Sequence, residues 1–432
     1  MQTLCPDADR IVREALPLCA GASASIAIVK DGRLAAQAYG CCRRVPYEFA
    51  SVQTRYAIGS VAKQFTAAAA LLLERDGVLS LDDPLSRWLA WPTGADQVTL
   101  RALLSHTAGF EDYYSHRHAP PGMLEDTTPL DIGLEWGRRP LEFAPGQGWS
   151  YSNTGYVLAG LALEKASGRS LSHFLADRIF GPLGLAGAGA YDGGASAGLV
   201  AEPLTRVGLA AARRSLVEGA GWLFAAAGLA MRAYDLALWN RALLQSVPSM
   251  DGLLEALSAP VAQVGARSYG LGLARDSADG HRVVSHGGQV QGFLGENRTY
   301  PDHGLAITVL TNTDAGTGCV AIADRVAFLL LPRTGPASIV VEVFDALRAG
   351  RPEERHLTSA ARRLFTPPLL AEFSNSLNPL GPVRAIRLTD EVARGGMAHR
   401  QYAVTFADGR LVLRVAVLPD GRLDELHAFA DP

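Results

Sequence analysis

Residues 60–77 read SVAKQFTAAAALLLERDG, a stretch apolar on nearly all sides. A helix of that character has to be buried, and Gly77 supplies its stop. Two side chains at its start do not fit an apolar core. Ser60 and Lys63 stand three residues apart, a spacing that puts both on one face of a helix. The first turn of a helix also presents unpaired N–H groups and a positive dipole end, which suit a serine alkoxide or a developing oxyanion. In such a setting Lys63 is desolvated, so its neutral amine becomes accessible and could take the proton of Ser60.

Upstream, residues 24–40 (ASIAIVKDGRLAAQAYG) predict two strands around an Asp31-Gly32 turn, preceded by an N-terminal helix. Downstream lies a long section of short helices and loops, in which residues 98–110 (VTLRALLSHTAGF) and 154–168 (TGYVLAGLALEKASG) are the clearest helices. Strands resume at 281–288 (HRVVSHGG), 292–300 (GFLGENRTY) and 304–313 (GLAITVLTNT), with turns expected at Gly287-Gly288 and at Pro301 to Gly304. A helix, 320–331, closes this part. Two early and three late strands predict one five-stranded antiparallel sheet flanked by terminal helices, with an all-helical section inserted.

Residues 331–338 (LPRTGPAS) read as a linker. Beyond it, helical segments at 340–350, 359–365 and 367–377 precede alternating strands joined at Asp408-Gly409 and Asp420-Gly421. The expected division is therefore 1–333 and 338–432, the second a small α+β module.

Composition excludes several classes. The 432 residues exceed what one core usually supports, and 48% hydrophobic with 19% charged residues is ordinary for a globular chain. A formal net charge of −3 leaves no footprint for nucleic acid or an anionic membrane. The five cysteines (Cys5, Cys19, Cys41, Cys42 and Cys319) form neither a disulfide framework nor a metal-ligand spacing. No run approaches a membrane span, and acidic residues near the N-terminus argue against a signal peptide. A cytoplasmic protein is expected, or a periplasmic one if a leader was removed before the numbering.

One bias sharpens the view of Lys63. Of 40 basic residues only Lys30, Lys63 and Lys165 are lysines. Lys30 belongs to the hairpin turn, and Lys165 to the last turn of a helix, where a cation meets the dipole favourably. Ser60 three residues before Lys63 has a plainer reading as a helix cap beside a snorkelling side chain. A serine so placed before one of three lysines arises by chance roughly one time in six at average usage. Arginine, however, cannot be deprotonated in a protein, so a site that needs a neutral amine is where an arginine-rich chain must keep lysine.

Two further elements carry chemistry. Tyr151-Ser152-Asn153 lies in a glycine-rich loop, where Asn153 or Thr154 can cap the next helix. A phenol beside an ammonium can act as acid and base, and an amide can hold both lysine and a substrate carbonyl. The plainer reading is a packed tyrosine beside a capping asparagine. His286-Gly287-Gly288 ends a strand, and two glycines there let an extended substrate lie against the backbone. The N–H of Gln289 could join that of Ser60 as an oxyanion hole, and His286 would reach the substrate as a switchable hydrogen-bonding group. Separately, these are a common tyrosine, an ordinary glycine hairpin and a lone histidine.

Together, and in this order, Ser-x-x-Lys, Tyr-x-Asn and His-x-Gly resemble the serine β-lactamase and penicillin-binding protein-like hydrolases. These include class C β-lactamases, DD-peptidases, D-aminopeptidases and related esterases. Residues 57–89, 103–110, 145–168, 178–185 and 280–293 are also similar to segments of that family, and the resemblance covers roughly residues 20–333. It implies a five-stranded antiparallel sheet with an all-helical subdomain and no metal or organic cofactor. It implies Ser60 as the acylated nucleophile, Lys63 as its proton partner and Tyr151 as the acid/base. Asn153 positions substrate, with His286, Gly288 and Gln289 at the third motif. Where most β-lactamases carry a lysine that binds the drug carboxylate, this chain has His286, so efficient penicillin hydrolysis is not expected.

The expected function is a serine hydrolase acting on an ester, or on a short peptide or amide, through an acyl-enzyme on Ser60. An esterase or a D-aminopeptidase/DD-peptidase-like enzyme fits best. The alternative is a catalytically weak penicillin-binding or ligand-sensing protein using the same cleft. The C-terminal module resembles a cystatin-like or NTF2-like fold by pattern, and could shape the cleft or support a homo-oligomer. His116-Arg117-His118 lacks a third metal ligand and reads as a solvated loop bordering the cleft through Tyr113 and Tyr114. Trp222 lines the pocket or simply packs.

Overall fold

The computed structural model describes residues 2–114, 122–193, 200–208, 210–278, 280–332, 336–352 and 355–430. The chain separates into two compact units. The first comprises Met1–Asp276 and Arg282–Ala323, and the second Ser277–His281 and Asp324–Pro432.

The first unit is built on one antiparallel sheet. Its strands are β1 (Ala24–Lys30), β2 (Arg33–Tyr39), β3 (Ala262–Val264), β4 (Arg267–Tyr269), β5 (Ala274–Ala278), β6 (His281–Val290), β7 (Phe293–Tyr300) and β8 (Leu305–Thr311). They stand in the order β3-β4-β5-β6-β7-β8-β1-β2. The five strands read from the sequence form the β6-to-β2 part, and three short strands extend it beyond β6. Two of those three escaped notice because β3 and β4 are only three residues each, too short to show a period. Asp31 and Gly32, with φ of 49° and 77°, make the left-handed turn between β1 and β2.

The expected turn at Gly287-Gly288 is not one. β6 runs straight through both glycines, pairing Gly287 with Glu296 and Gly288 with Gly295, and the reversal comes at Gln291-Gly292. Gly292 carries the positive φ of 79° that the turn needs.

The helix α1 (Pro6–Ala15) precedes the sheet. The stretch that opened the sequence reading forms α2 (Lys63–Arg75), buried along nearly its whole length. Ser60 sits just before it, in a separate 3-10 turn over Gly59–Ala62. The segment after Val98 is helical only over α3 (Leu100–Leu104). It stops because His106 takes a left-handed φ of 63° and because the Ser105 hydroxyl turns back onto the Arg101 carbonyl at 2.8 Å. α4 (Pro129–Trp136) and α5 (Asn153–Ser167) complete the inserted section with shorter helical turns. That section is mainly helical and also holds small two- and three-stranded patches. α6 (Ala233–Leu244) lies against β1 and β8, and α7 (Gly318–Leu330) follows the sheet.

In the second unit a helix, α8 (Pro336–Arg348), takes up the last residues of the expected linker. α9 (Ser359–Leu364) and α10 (Pro367–Leu377) follow, then a four-stranded meander. Its strands are β9 (Val383–Arg394), β10 (Met397–Phe406), β11 (Arg410–Val417) and β12 (Leu423–Ala430), paired in chain order. Leu413, Phe406, Tyr402 and Val415 from the sheet close over Val343, Phe344 and Leu347 of α8 in a core of their own. The turns at Asp408-Gly409 and Asp420-Gly421 fall where the sequence put them.

Candidate active site

Lys63 is fully buried, with none of its surface exposed. Its ammonium nitrogen lies 3.1 Å from Ser60 Oγ, 2.6 Å from Asn153 Oδ1 and 2.9 Å from the Ala226 carbonyl. The rings of Tyr151 and Tyr156 face it at 4.8 and 5.1 Å. Burial disfavours the charged form and lowers its pKa to about 7, with the Asp112 carboxylate pulling the other way. The start of α2 therefore places an amine able to be neutral beside the Ser60 hydroxyl. Ser60 follows Gly59, whose φ of 53° favours glycine.

Tyr151 comes from the loop before α5 and keeps part of its surface open. Burial pushes its phenol above the ordinary value, and a hydrogen bond with Ser60 draws it partly back. Near neutral pH it is a proton donor, not a phenolate. The helix cap is neither Asn153 nor Thr154. Ser152 caps α5, accepting from the Gly155 N–H at 3.1 Å, because its extended backbone aims the hydroxyl at that amide. Asn153 is thereby released to face Lys63.

Asn153 also reveals a residue that sequence reasoning missed. Its backbone N–H and its Nδ2 donate to Asp112 Oδ1 at 2.9 and 3.1 Å, and Nδ2 lies 3.4 Å from Oδ2. That fixes the amide with its oxygen on Lys63. The amide nitrogen has two N–H groups, so its bond to Asp112 still leaves one for the expected hold on a substrate carbonyl. Asp112, two residues beyond Phe110, carried no signal except its place beside the Tyr113-Tyr114 pair.

The third motif meets this cluster through the backbone. A Cβ on Gly288 would come within 2.0 Å of the Ile58 carbonyl, and one on Gly59 within 2.6 Å of Gln289 N. Gly288 thus leaves room for the protein's own backbone, not for a substrate as its sequence position suggested. The Gln289 amide nitrogen lies directly against Gly59, one residue before Ser60. Gly287 differs: a Cβ there would meet nothing closer than Glu296 Oε2 at 3.5 Å, and it opens onto the pocket.

His286 departs most from expectation. It is buried, and burial together with the Lys63 charge lowers its pKa to about 4. A histidine so placed stays neutral across the physiological range and does not switch.

These groups line a cavity of about 690 Å³. Its walls include Ser60, Tyr151, Asn153, Gly287 and Gln289, with Tyr113 and Tyr114 bordering it as expected. Trp222 packs on Tyr113 at 5.9 Å, and its indole N–H donates to the Glu125 carbonyl at 2.8 Å. Among the described residues lining the cavity there is no lysine or arginine, whereas Asp112, Glu296 and Asp314 all contribute carboxylates. Also among the described residues, no group of side chains could hold a metal ion, and no helix is long and apolar enough to cross a membrane. His116-Arg117-His118 lies outside the described residues.

A profile of the beta-lactamase family matches residues 8–331. The chain belongs to the beta-lactamase family. A D-aminopeptidase from Cereibacter sphaeroides is 30% identical over 334 residues, covering 71% of this chain and 60% of that protein. A penicillin-binding protein from Bacillus subtilis is 39% identical over 139 residues, 30% of this chain and 29% of the relative. The chain thus spans less than two thirds of the length of these curated relatives. Among solved structures, a D-stereospecific amidohydrolase from a Streptomyces species superposes with a TM-score of 0.64 at 27% identity, over 74% of this chain and 98% of that one.

Proposed function

We propose that this protein is a serine hydrolase that transfers the acyl group of an ester or amide to Ser60 and then to water, with residues 1–333 as its hydrolase domain. The observation that carries the reading is the Lys63 amine, fully buried and 3.1 Å from Ser60 Oγ. Neutral Lys63 takes the hydroxyl proton as Ser60 Oγ bonds to the carbonyl carbon. The N–H groups of Ser60 and Gln289 receive the negative charge on the carbonyl oxygen. Tyr151 gives its proton to the leaving oxygen or nitrogen, and the Lys63 ammonium restores it. Water then attacks the acyl-enzyme as Lys63 accepts its proton, and the Lys63 ammonium passes that proton to Ser60 Oγ as the acyl C–O bond breaks. Asn153 holds Lys63 in place, and Gly288 lets the third-motif strand close on the nucleophile turn.

The cavity's charge bears on the substrate. With Asp112 and Asp314 on its walls, Glu296 already paired with Arg298 at 2.8 Å, and a neutral His286, it favours uncharged or amine-bearing acyl donors over carboxylate-bearing ones. The D-aminopeptidase and D-stereospecific amidohydrolase relatives support D-aminoacyl amides and esters as the class to test first. The experiment is fluorophosphonate labelling with peptide mass spectrometry on wild type and Ser60→Ala. A panel of D-alanyl p-nitroanilide, p-nitrophenyl butyrate and nitrocefin completes it. An adduct on Ser60, lost in the variant, with turnover of the first two substrates above nitrocefin, is expected. An adduct on another serine overturns the assignment.

A further inference from the structure

A buried chain of hydrogen bonds runs behind the candidate site, and its direction is fixed from one end. The backbone N–H of Ser152 donates to His106 Nδ1 at 3.1 Å. A backbone amide is only a donor, so Nδ1 bears no proton and neutral His106 carries its proton on Nε2. That nitrogen lies 3.2 Å from the Tyr269 hydroxyl. Tyr269 therefore accepts from His106, and its own proton points onward to His286 Nε2, 3.0 Å away. His286 must then hold its proton on Nδ1, which lies 2.5 Å from the Gly287 carbonyl, an acceptor and nothing else. Both ends demand the same sense. Tyr156, the other hydroxyl beside Tyr269, spends its own proton on the Leu104 carbonyl at 2.7 Å and leaves its oxygen as a second acceptor for the Tyr269 proton; the Nδ1 contact of His286, which leaves Nε2 bare, draws that proton to His286.

We infer that His106 and Tyr269 are positioning residues. Together they hold His286 as the neutral Nδ1–H tautomer and tie the Tyr151 loop to the strand that carries Gly287, Gly288 and Gln289. His286 then has neither nitrogen free for a substrate. It braces the third motif instead of binding ligand.

The surroundings agree. His106 is 1% exposed, and its ring stacks on Tyr151 with centroids 4.2 Å apart. Its carbonyl accepts from the Ser150 N–H at 3.1 Å, so one residue grips the Tyr151 loop at two points. The left-handed backbone of His106 is the local strain that this grip repays. Tyr269 ends β4, and His286 lies in β6. Three segments far apart in sequence are thus joined by one buried polar thread, in which every member is satisfied.

The groups facing His286 are Lys63, Tyr151, Tyr269 and, across the strand pair beside Gly287, Glu296. Removing the Tyr269 hydroxyl leaves Nε2 without its donor and lets the ring exchange tautomers or take a second proton.

The test is long-range proton–nitrogen correlation on the full chain with 15N-labelled imidazoles, assigned by His106→Gln and His286→Asn. In wild type, a pure Nε2–H form for His106 and a pure Nδ1–H form for His286, both unchanged between pH 6 and 8, are expected. A wild-type His286 that is an imidazolium or an Nε2–H tautomer overturns the inference, whatever the variants do. Tyr269→Phe should make His286 a tautomer mixture and lower kcat by about tenfold to a hundredfold, the usual cost of losing a partner that orients a histidine. KM should change by less than about twofold, because no substrate contact is removed. A raised KM with unchanged kcat would instead mark His286 as a ligand of substrate and refute the bracing role. The kinetic arm rests on the acyl-enzyme reading, whereas the tautomer arm does not, so the two can fail separately.

Discussion

Lys63 should set the pH dependence of acylation, and the structure fixes both direction and size. An unperturbed lysine titrates near 10.5, so at pH 7 about one molecule in 3,000 holds a neutral amine. Burial brings Lys63 to about 7, which makes about half of the molecules competent at that pH and raises the supply of base by about three orders of magnitude. Between pH 6 and 8 the neutral fraction climbs from about one tenth to about nine tenths, so acylation should rise about tenfold and then level off. Tyr151 is pushed up and His286 and His106 down, so none of them supplies that limb. Glu218, buried behind Tyr114 with a raised carboxyl pKa, is the control, and Glu218→Gln should keep the limb. The assay is the single-turnover rate of p-nitrophenolate release from p-nitrophenyl butyrate, buffered from pH 5.5 to 9. Lys63→Arg should lose about two to four orders of magnitude, the size of a general-base effect. Full burial and three fixed partners predict that the variant is destabilised, because a permanent charge with a larger fork has to occupy the same space. Its melt must therefore be measured and the assay run below it. The linkage has a definite sign. The folded value lies below the unfolded one, so the unfolded chain binds more protons between about pH 7 and 10.5. This group's contribution to stability then rises with pH across that window, by up to about 1.4 kcal/mol per unit, and is least below pH 7. The difference in unfolding free energy between Lys63→Met and wild type should shrink accordingly. A flat rate profile, or wild-type acylation by Lys63→Arg, refutes the reasoning.

Asp112→Asn removes the charge that holds the Lys63 pKa up, so the acid limb should move to lower pH; a shift upward contradicts the assigned contact. Gly288→Ala puts a methyl group 2.0 Å from the Ile58 carbonyl and should cost about 1–3 kcal/mol of stability and about a hundredfold or more in kcat as the Gln289 amide is displaced. Gly287→Ala, 3.5 Å from its nearest neighbour, should melt like wild type, and equal destabilisation of the two variants in thermal denaturation would refute the distinction.

The fold was legible wherever hydrophobic period and turn chemistry agreed. The Asp31-Gly32 hairpin, the buried α2 and the meander closed at Asp408-Gly409 and Asp420-Gly421 all read directly. What failed was glycine in a strand. Gly287-Gly288 resembles a turn because turns need glycine, yet a strand pressed against another backbone needs it for the same lack of a Cβ. Only the position of Ile58, fixed by the tertiary structure, distinguishes the two uses.

The candidate site divides the same way. Ser60, Lys63 and Tyr151 could be found because their spacing and the scarcity of lysine are properties of the chain itself. His286 stood out as well, but the burial that keeps it neutral and its bond to the Tyr269 hydroxyl did not, because the sequence places Tyr269 17 positions away with no pattern linking them. Asp112 and His106 left no trace for a related reason. Each acts on a motif residue through a hydrogen bond made across the fold: Asp112 to Asn153 over 41 positions, and His106 to Ser152 over 46. Side chains that do chemistry tend to announce themselves by type and neighbour. Those that aim them do so through tertiary contacts, and here that second group decides which nitrogen of which histidine carries a proton.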